Sequence, residues 1–132
     1  MRRACVVVLV ASFALATGVS LSVAASPQST LKYTLKEMSV AGKTSATSGR
    51  ITFVATNSGT VAHELVIMRS AAPLTVKRYK AVEAGRWLGE VEEIEPGKTG
   101  KVTLDLAPGK YLLLCNIVGH YQLGMKTVLQ VK

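Results

Sequence analysis

Short segments in which apolar and polar residues alternate recur along this chain, and they limit the folds open to it. Leu31–Met38 and Lys126–Lys132 alternate in this way, as does Lys98–Leu106 between them. A period of two places every second side chain on the same face, which is the pattern of a half-buried β-strand and not of a helix. We therefore expect an all-β protein.

The segments between these three complete the pattern. Further strands are predicted where β-forming residues are concentrated, at Arg50–Thr56, His63–Met68 and Tyr111–Cys115. Asn57–Thr60 and Ala107–Lys110 have the Asn, Gly and Pro residues of turns, and the small, polar stretch Ala41–Gly49 predicts a loop. Short strands joined by such turns favour a β-sandwich or barrel.

The segment Ser70–Pro96 departs from the alternating pattern. It contains the only tryptophan, Trp87, and a cluster of glutamates. Thr75–Ala84 is a candidate short helix and Glu90–Ile94 a candidate edge strand. We interpret the segment as an irregular or short helical excursion between the two halves of the sandwich.

The first 25 residues have the features of an export signal. Arg2 and Arg3 precede an uncharged, largely apolar stretch, Ala4–Ala25, that ends in the small residues signal peptidases prefer. The alternative is an uncleaved membrane anchor, since a spanning helix needs about 20 apolar residues. We expect residues 1–25 to be a signal peptide, residues 26–132 to form one domain, and the protein to be periplasmic or otherwise extracytoplasmic.

Four residues predict a metal site. Cleavage would remove Cys5, so Cys115 would be a single cysteine, which is either a free thiol or a metal ligand. His120 and Met125 follow Cys115 on one short loop, and His63 is the only other histidine. Each alone would be an ordinary core or surface residue, but two His, one Cys and a weakly bound Met form the ligand set of a blue-copper electron-transfer site. Met is a poor ligand for structural zinc, and an iron–sulfur cluster needs more cysteines.

These motifs resemble those of the cupredoxins, the blue-copper family that includes plastocyanin and azurin. The spacing Cys115-x4-His120-x4-Met125 is similar to that of the rusticyanin and sulfocyanin type. Asn57-Ser-Gly followed by His63-Glu-Leu-Val-Ile resembles exported plastocyanin/azurin-like domains. The resemblance covers Leu31–Lys132. It implies an eight-stranded Greek-key sandwich, one type 1 copper ion on His63, Cys115, His120 and Met125, and a solvent-facing His120 through which electrons leave.

Two positions differ from the family pattern. Glu64 follows the first histidine, where plastocyanin and azurin have an asparagine that ties the two ligand segments together. Glu64 either accepts hydrogen bonds from the Cys115–Asn116 backbone or points to solvent. Asn116 stands where multicopper oxidases have the histidine that connects blue copper to a second copper centre.

The sequence favours a one-electron carrier over two other classes. A protein for copper storage, delivery or resistance would usually carry Met or His clusters, and an enzyme would need a second metal site that two histidines cannot build. Redox proteins such as a cytochrome, an oxidase or a reductase would dock near His120. The surrounding apolar residues (Ile117, Val118, Tyr121 and Leu123) either form the docking patch, or Val118 and Leu123 pack inward. The net charge of +8 comes without a Lys/Arg run, so we expect no nucleic-acid partner, and a monomer that is membrane-tethered only if the signal is uncleaved.

Overall fold

The computed structural model describes residues 28–69 and 87–132, and within them the chain forms nine β-strands and no helix. The strands are β1 (Gln28–Lys36), β2 (Ser39–Gly42), β3 (Ser45–Ala46), β4 (Gly49–Asn57), β5 (His63–Met68), β6 (Trp87–Ile94), β7 (Thr99–Leu106), β8 (Gly109–Leu114) and β9 (Lys126–Val131). Nothing in these two ranges forms a helix long and apolar enough to cross a membrane.

The strands form two mixed sheets. The smaller sheet has the order β2-β1-β4-β7 and the larger β3-β9-β8-β5-β6. β1 pairs in parallel with β4, and β3 with β9, while the other neighbours are antiparallel. Along the described strands the chain changes sheet five times, between β2 and β3, β3 and β4, β4 and β5, β6 and β7, and β7 and β8. The predicted all-β Greek-key sandwich is therefore confirmed, with nine described strands where the resemblance implied eight.

The core lies between the two sheets and follows from the alternation. Leu31, Tyr33 and Leu35 of β1 are buried, and the intervening residues are exposed. β5 and β8 differ because these two strands of the larger sheet are buried on both faces. A second buried cluster, formed by Val66, Met68, Leu112, Leu114 and Tyr121, is separate from the main core. Burial on both faces explains why these two strands are nearly continuous apolar runs.

The predicted strands are confirmed, with ends shifted by a few residues, and β5 matches its predicted bounds. β6 is an edge strand of the larger sheet, as predicted, but begins at Trp87. The prediction of a loop over Ala41–Gly49 is wrong in part, because two short strands occupy some of it. Ser39–Gly42 pairs back onto β1, and Ser45–Ala46 pairs with the end of β9, so neighbouring strands decide the conformation where local propensity is weak. The signal peptide over residues 1–25 and the helix over Thr75–Ala84 lie outside the described residues.

Candidate metal centre

Strand pairing brings the two ligand segments to one end of the sandwich. β5 and β8 are antiparallel neighbours, with Val66 opposite Leu114. The start of β5 therefore lies beside the end of β8. His63 is the first residue of β5, and Cys115 directly follows β8, so a histidine and a cysteine 52 positions apart become neighbours.

The loop that joins β8 to β9 is closed by its own main chain. Cys115 N–H donates to Met125 O at 3.0 Å, and Met125 N–H donates to His120 O at 3.0 Å. Gly119 and Gly124 have φ angles of +88° and +117°, a region that residues with a Cβ rarely adopt. The two glycines precede His120 and Met125, so they permit the tight turns that direct these side chains.

Three potential ligand atoms converge at this end. His63 Nδ1 lies 3.2 Å from His120 Nδ1, and Cys115 Sγ lies 3.3 Å from His120 Nδ1. All three atoms lie within 4.8 Å of one another. Two imidazole nitrogens held by one ion at about 2.0–2.1 Å are about 3.3–3.6 Å apart in tetrahedral or trigonal geometry. The observed spacing therefore fits two ligands of a single small ion, with the thiol as a third.

The Cys115 sulfur is buried, and its thiol is free. Burial raises the pKa of the Cys115 thiol, while main-chain hydrogen bonds from Glu64 and Ile117 lower it and nearby Glu64 charge raises it. The two hydrogen bonds stabilise the thiolate form of Cys115, and the main free-energy cost of forming that thiolate is desolvation. A cation bound to the sulfur would offset that cost and deprotonate the thiol, so the environment suits a metal-bound thiolate.

His63 and His120 differ in exposure. His63 is completely buried, whereas His120 is partly exposed. Burial, followed by the nearby His63, lowers the pKa of His120, which favours the neutral imidazole that metal binding requires. His120 is the solvent-facing histidine, as the resemblance implied.

The apolar residues near His120 divide into two groups. Val118 and Leu123 are 83% and 65% exposed, so the alternative in which they pack inward is wrong. Tyr121 is buried, and Ile117 is partly buried against the main core, so neither is a main part of an outer patch. The exposed apolar surface on this loop is formed by Val118 and Leu123.

Met125 is completely buried and belongs to the same core cluster as Cys115. Its main chain is hydrogen-bonded to those of Cys115 and His120. The structure thus brings His63, Cys115 and His120 together through their side chains and Met125 through its main chain. The role of the Met125 thioether as a copper ligand stays a prediction.

Glu64 connects the two ligand segments. Its half-buried carboxylate accepts a hydrogen bond from the main-chain N–H of Asn116, and its own main chain bonds to the Cys115 sulfur. Burial raises the pKa of Glu64, the Asn116 hydrogen bond lowers it, and Glu93 and Glu92 raise it further. The first of the two alternatives for Glu64 is confirmed, and the one in which it points to solvent is wrong.

Glu37 is part of the site but was not predicted. Its Oε1 accepts hydrogen bonds from the N–H groups of Thr60 at 2.5 Å and Val61 at 3.0 Å, and it lies 3.5 Å from His63 Nε2. The Thr60 hydrogen bond is the main reason that the pKa of Glu37 is lowered to about 2. One signal was present in the sequence. The alternation through Leu31, Tyr33 and Leu35 places position 37 on the inward face, where a carboxylate is uncommon unless it has a partner.

A Greek-key sandwich that joins two histidines and a buried cysteine at one end defines the cupredoxin class of copper proteins. Comparison with protein-family models agrees, since residues 19–132 match the copper-binding proteins of the plastocyanin/azurin family. The chain belongs to this family. Copper is accordingly its cofactor, and His63, Cys115 and His120 are the residues placed to hold it.

Solved structures show the same fold. Auracyanin from the photosynthetic bacterium Roseiflexus castenholzii, in its dithionite-reduced form, is 25% identical over 83% of this chain and 99% of its own, with a TM-score of 0.64. Auracyanin A, a blue copper protein from Chloroflexus aurantiacus, is 21% identical over 80% and 100%, with a TM-score of 0.67.

An azurin from Methylomonas sp. strain J is 16% identical over 80% of this chain and 97% of its own, with a TM-score of 0.57. No curated protein sequence matches the chain significantly. The similarity of the ligand loop to the rusticyanin and sulfocyanin type is not confirmed by these comparisons.

Proposed function

We propose that this protein is an exported type 1 copper protein that carries single electrons between redox partners and is not an enzyme. The observation that carries the proposal is the convergence of one buried thiol and two imidazoles, His63, Cys115 and His120. When bound, copper supplies a Cu(II)/Cu(I) couple at such a site. Family membership and the auracyanin described as a blue copper protein support the same assignment.

Met125 completes the proposed ligand set as a weak fourth ligand. A long Met contact is the usual companion of a His₂Cys site. The side chain is completely buried and lies in the same cluster as Cys115. Its main-chain bonds to Cys115 and His120 tie its position to those of two other ligands.

The protein's contribution to electron transfer is to keep the ligands in one arrangement. His63 and Cys115 are buried, and the loop bearing Cys115, His120 and Met125 is fastened by hydrogen bonds within itself. Ligands fixed in this way move little when the oxidation state changes. The partly exposed His120 is then the shortest route from the metal to a partner.

We propose that redox partners, such as a cytochrome, an oxidase or a reductase, dock over His120. Val118 and Leu123 provide exposed apolar area beside it. Such a small contact suits transient electron-transfer complexes, which bury little surface and dissociate rapidly. The net charge, +8 for the whole sequence and +6 after removal of Arg2 and Arg3 with residues 1–25, would steer an acidic partner toward the protein.

The second candidate is a protein for copper storage, delivery or resistance. It would be expected to display thiols, thioethers or imidazoles on its surface. In the described ranges Cys115, Met68 and Met125 are buried and Met38 is partly buried, and one His/Cys/Asp/Glu group suitable for a metal is found there. These observations favour the carrier.

The proposals on location and assembly rest on the sequence. We propose that residues 1–25 direct export to the periplasm or another extracytoplasmic site, and tether the protein to the membrane if they are retained. We further propose a monomer that binds no nucleic acid.

Addition of Cu(II) to the purified protein tests the site. An intense blue colour is expected, because the blue band requires a copper–thiolate bond, and Cys115→Ser should abolish it. A blue Cys115→Ser variant would contradict the ligand assignment. A colourless protein that binds Cu(I) tightly would instead support storage or delivery.

Met125→Leu tests the fourth ligand. Loss of the sulfur donor disfavours Cu(II) more than Cu(I), so the variant should keep copper and have a higher reduction potential by voltammetry. Met68→Leu is the matched control, since Met68 is equally buried but lies in the separate second cluster. An unchanged or lower potential in Met125→Leu would exclude the thioether as a ligand.

A further inference from the structure

We propose that Glu37 is a positioning residue for the copper site, which accepts a hydrogen bond from His63 Nε2 and so directs the Nδ1 lone pair of His63 toward the metal position. The proposal rests on the copper site proposed above. It assigns a role to a carboxylate that lies outside the ligand segments.

The surroundings of the His63 ring define which nitrogen can bind metal. Nδ1 faces His120 Nδ1 at 3.2 Å, on the side of Cys115. Nε2 is buried and has no hydrogen-bond partner in the part of the chain that the structure describes. The carboxylate oxygen in contact with it is Glu37 Oε1 at 3.5 Å.

The chemistry of imidazole then determines what Glu37 has to do. A neutral imidazole carries one proton, so a lone pair on Nδ1 requires the proton on Nε2. A buried N–H without an acceptor is unfavourable. Glu37 Oε1 is slightly farther away than the 2.7–3.2 Å of a good hydrogen bond, and a shift of a few tenths of an ångström would close it. Glu37 thereby favours the tautomer of His63 that can bind copper.

Hydrogen bonds hold the carboxylate of Glu37 in its position beside His63. Oε1 accepts hydrogen bonds from the main-chain N–H groups of Thr60 and Val61, and from the Thr60 hydroxyl at 3.3 Å. Gly59 leaves the space that this arrangement needs, because a Cβ at that position would collide with the carboxylate. The β4–β5 loop, which donates these hydrogen bonds to Glu37, leads directly into His63. The same loop therefore positions both the carboxylate and the ligand.

A carboxylate at this position also affects the metal. Carboxylate partners of ligating histidines orient the ring and increase its basicity, and their loss typically lowers metal affinity about 10–100-fold. Cu(II) gains more than Cu(I) from a more basic ligand and a nearby negative charge. Removal of Glu37 should therefore weaken Cu(II) binding more than Cu(I) binding.

The test compares Glu37→Ala and Glu37→Gln with the unmodified protein. Nitrogen-15 NMR of the metal-free proteins reports the His63 tautomer, and competition titration reports the affinity for Cu(II). The unmodified protein should carry the proton on Nε2. Glu37→Ala should lose this preference and bind Cu(II) about 10–100-fold more weakly. Glu37→Gln keeps a carbonyl acceptor, so it should restore the tautomer and part of the affinity.

Two controls separate positioning from general effects. Asp105→Asn removes an exposed carboxylate that faces Arg50 at the opposite end of β4, and Ser58→Ala removes a hydrogen bond from the same loop to Leu35 O. Both should leave tautomer and affinity unchanged. A Glu37→Ala variant that loses only thermal stability, with tautomer and Cu(II) affinity retained, would overturn the proposal.

A further variant keeps the test decisive if Glu37→Ala fails to fold. Gly59→Ala retains the Glu37 charge but displaces its carboxylate, so it should shift the tautomer and weaken Cu(II) binding in the same direction. An unchanged tautomer and affinity in Gly59→Ala would count against the role of Glu37. Because the tautomer is measured without metal, it tests the role of Glu37 even if the protein does not bind copper. Absence of copper binding by the unmodified protein would instead refute the proposed function.

Discussion

Asn57 is the residue whose loss should most disturb the loop beneath the metal centre. It ends β4 and is completely buried. Its Nδ2 donates to Val61 O at 2.8 Å and to Ile94 O at 2.7 Å, and its Oδ1 accepts from Gly59 N–H at 2.8 Å. One side chain thus joins the β4–β5 loop to the end of β6, and the same loop supports Glu37 and leads into His63.

The expected cost of Asn57→Ala follows from these three bonds. Each contributes about 1 kcal/mol net, and a buried group left unpaired costs about 1–3 kcal/mol. Because parts of the loop can reach water, we expect a total loss of about 3–4 kcal/mol, against a free energy of unfolding of about 5–15 kcal/mol for a typical domain. At about 4–8 °C per kcal/mol for a small domain, the melting temperature should fall by roughly 12–32 °C.

Urea unfolding of the metal-free protein measures this cost. Asn57→Asp is a more specific test, because aspartate has the same size and keeps the oxygen that accepts from Gly59 N–H. It replaces the Nδ2 donor with a second oxygen, which would face the carbonyl oxygens of Val61 and Ile94. It should be at least as destabilised as Asn57→Ala, while Ser58→Ala, which removes one partly buried bond on the same loop, should lose about 1 kcal/mol or less. A loss below about 1 kcal/mol for Asn57→Ala, or an Asn57→Asp variant as stable as the unmodified protein, would refute this reasoning.

Three further predictions concern the metal, the core and the second carboxylate. Copper at 100 times its dissociation constant should stabilise the fold by about 2.7 kcal/mol, and equal melting temperatures of the metal-free and copper-loaded proteins by calorimetry would mean that the ligands do not converge. Burial raises the pKa of Tyr33 from 10.0 to about 12, and the Tyr33 hydroxyl donates a hydrogen bond to Lys43 O. Because the fold favours the neutral phenol, the contribution of Tyr33 to stability is complete below pH 10.0 and is lost as the pH rises through about 12. Tyr33→Phe should lack this part of the alkaline decline in urea unfolding, and an identical decline would contradict it. Glu64→Gln should keep the blue colour and raise the reduction potential, and Glu64→Ala should also lower the melting temperature; if voltammetry and calorimetry find neither change, the Asn116 hydrogen bond has no role in the site.

The strands that could be predicted from the sequence are those whose apolar side chains face the core. Leu31, Tyr33 and Leu35 alternate with exposed residues, so their burial could be predicted without knowing their neighbours. β5 is an almost unbroken apolar run after His63, and its bounds were equally clear. β2 and β3 could not be predicted, because they are short, mostly exposed edge segments whose extended conformation depends on pairing with another strand. For β3 that partner is β9, far along the chain.

The same distinction applies to the metal centre. Cys115 and His120 lie on one loop, so their proximity could be predicted from spacing, and His63 followed because the chain has only two histidines. Glu37 could not be assigned from spacing. It reaches His63 because β1 runs parallel to β4, with Leu35 opposite Asn57, and this pairing places the residues after β1 beside the loop after β4.

The two carboxylates act on the site through different contacts but affect copper in the same direction. Glu37 contacts the His63 ring from a position fixed by the N–H groups of Thr60 and Val61. Glu64 is half-buried and fastens the Cys115 segment through Asn116. Each places a negative charge near a metal position enclosed by buried side chains, where charges interact more strongly than in water. Both charges should stabilise Cu(II) relative to Cu(I), so the loss of either carboxylate should raise the reduction potential of this protein.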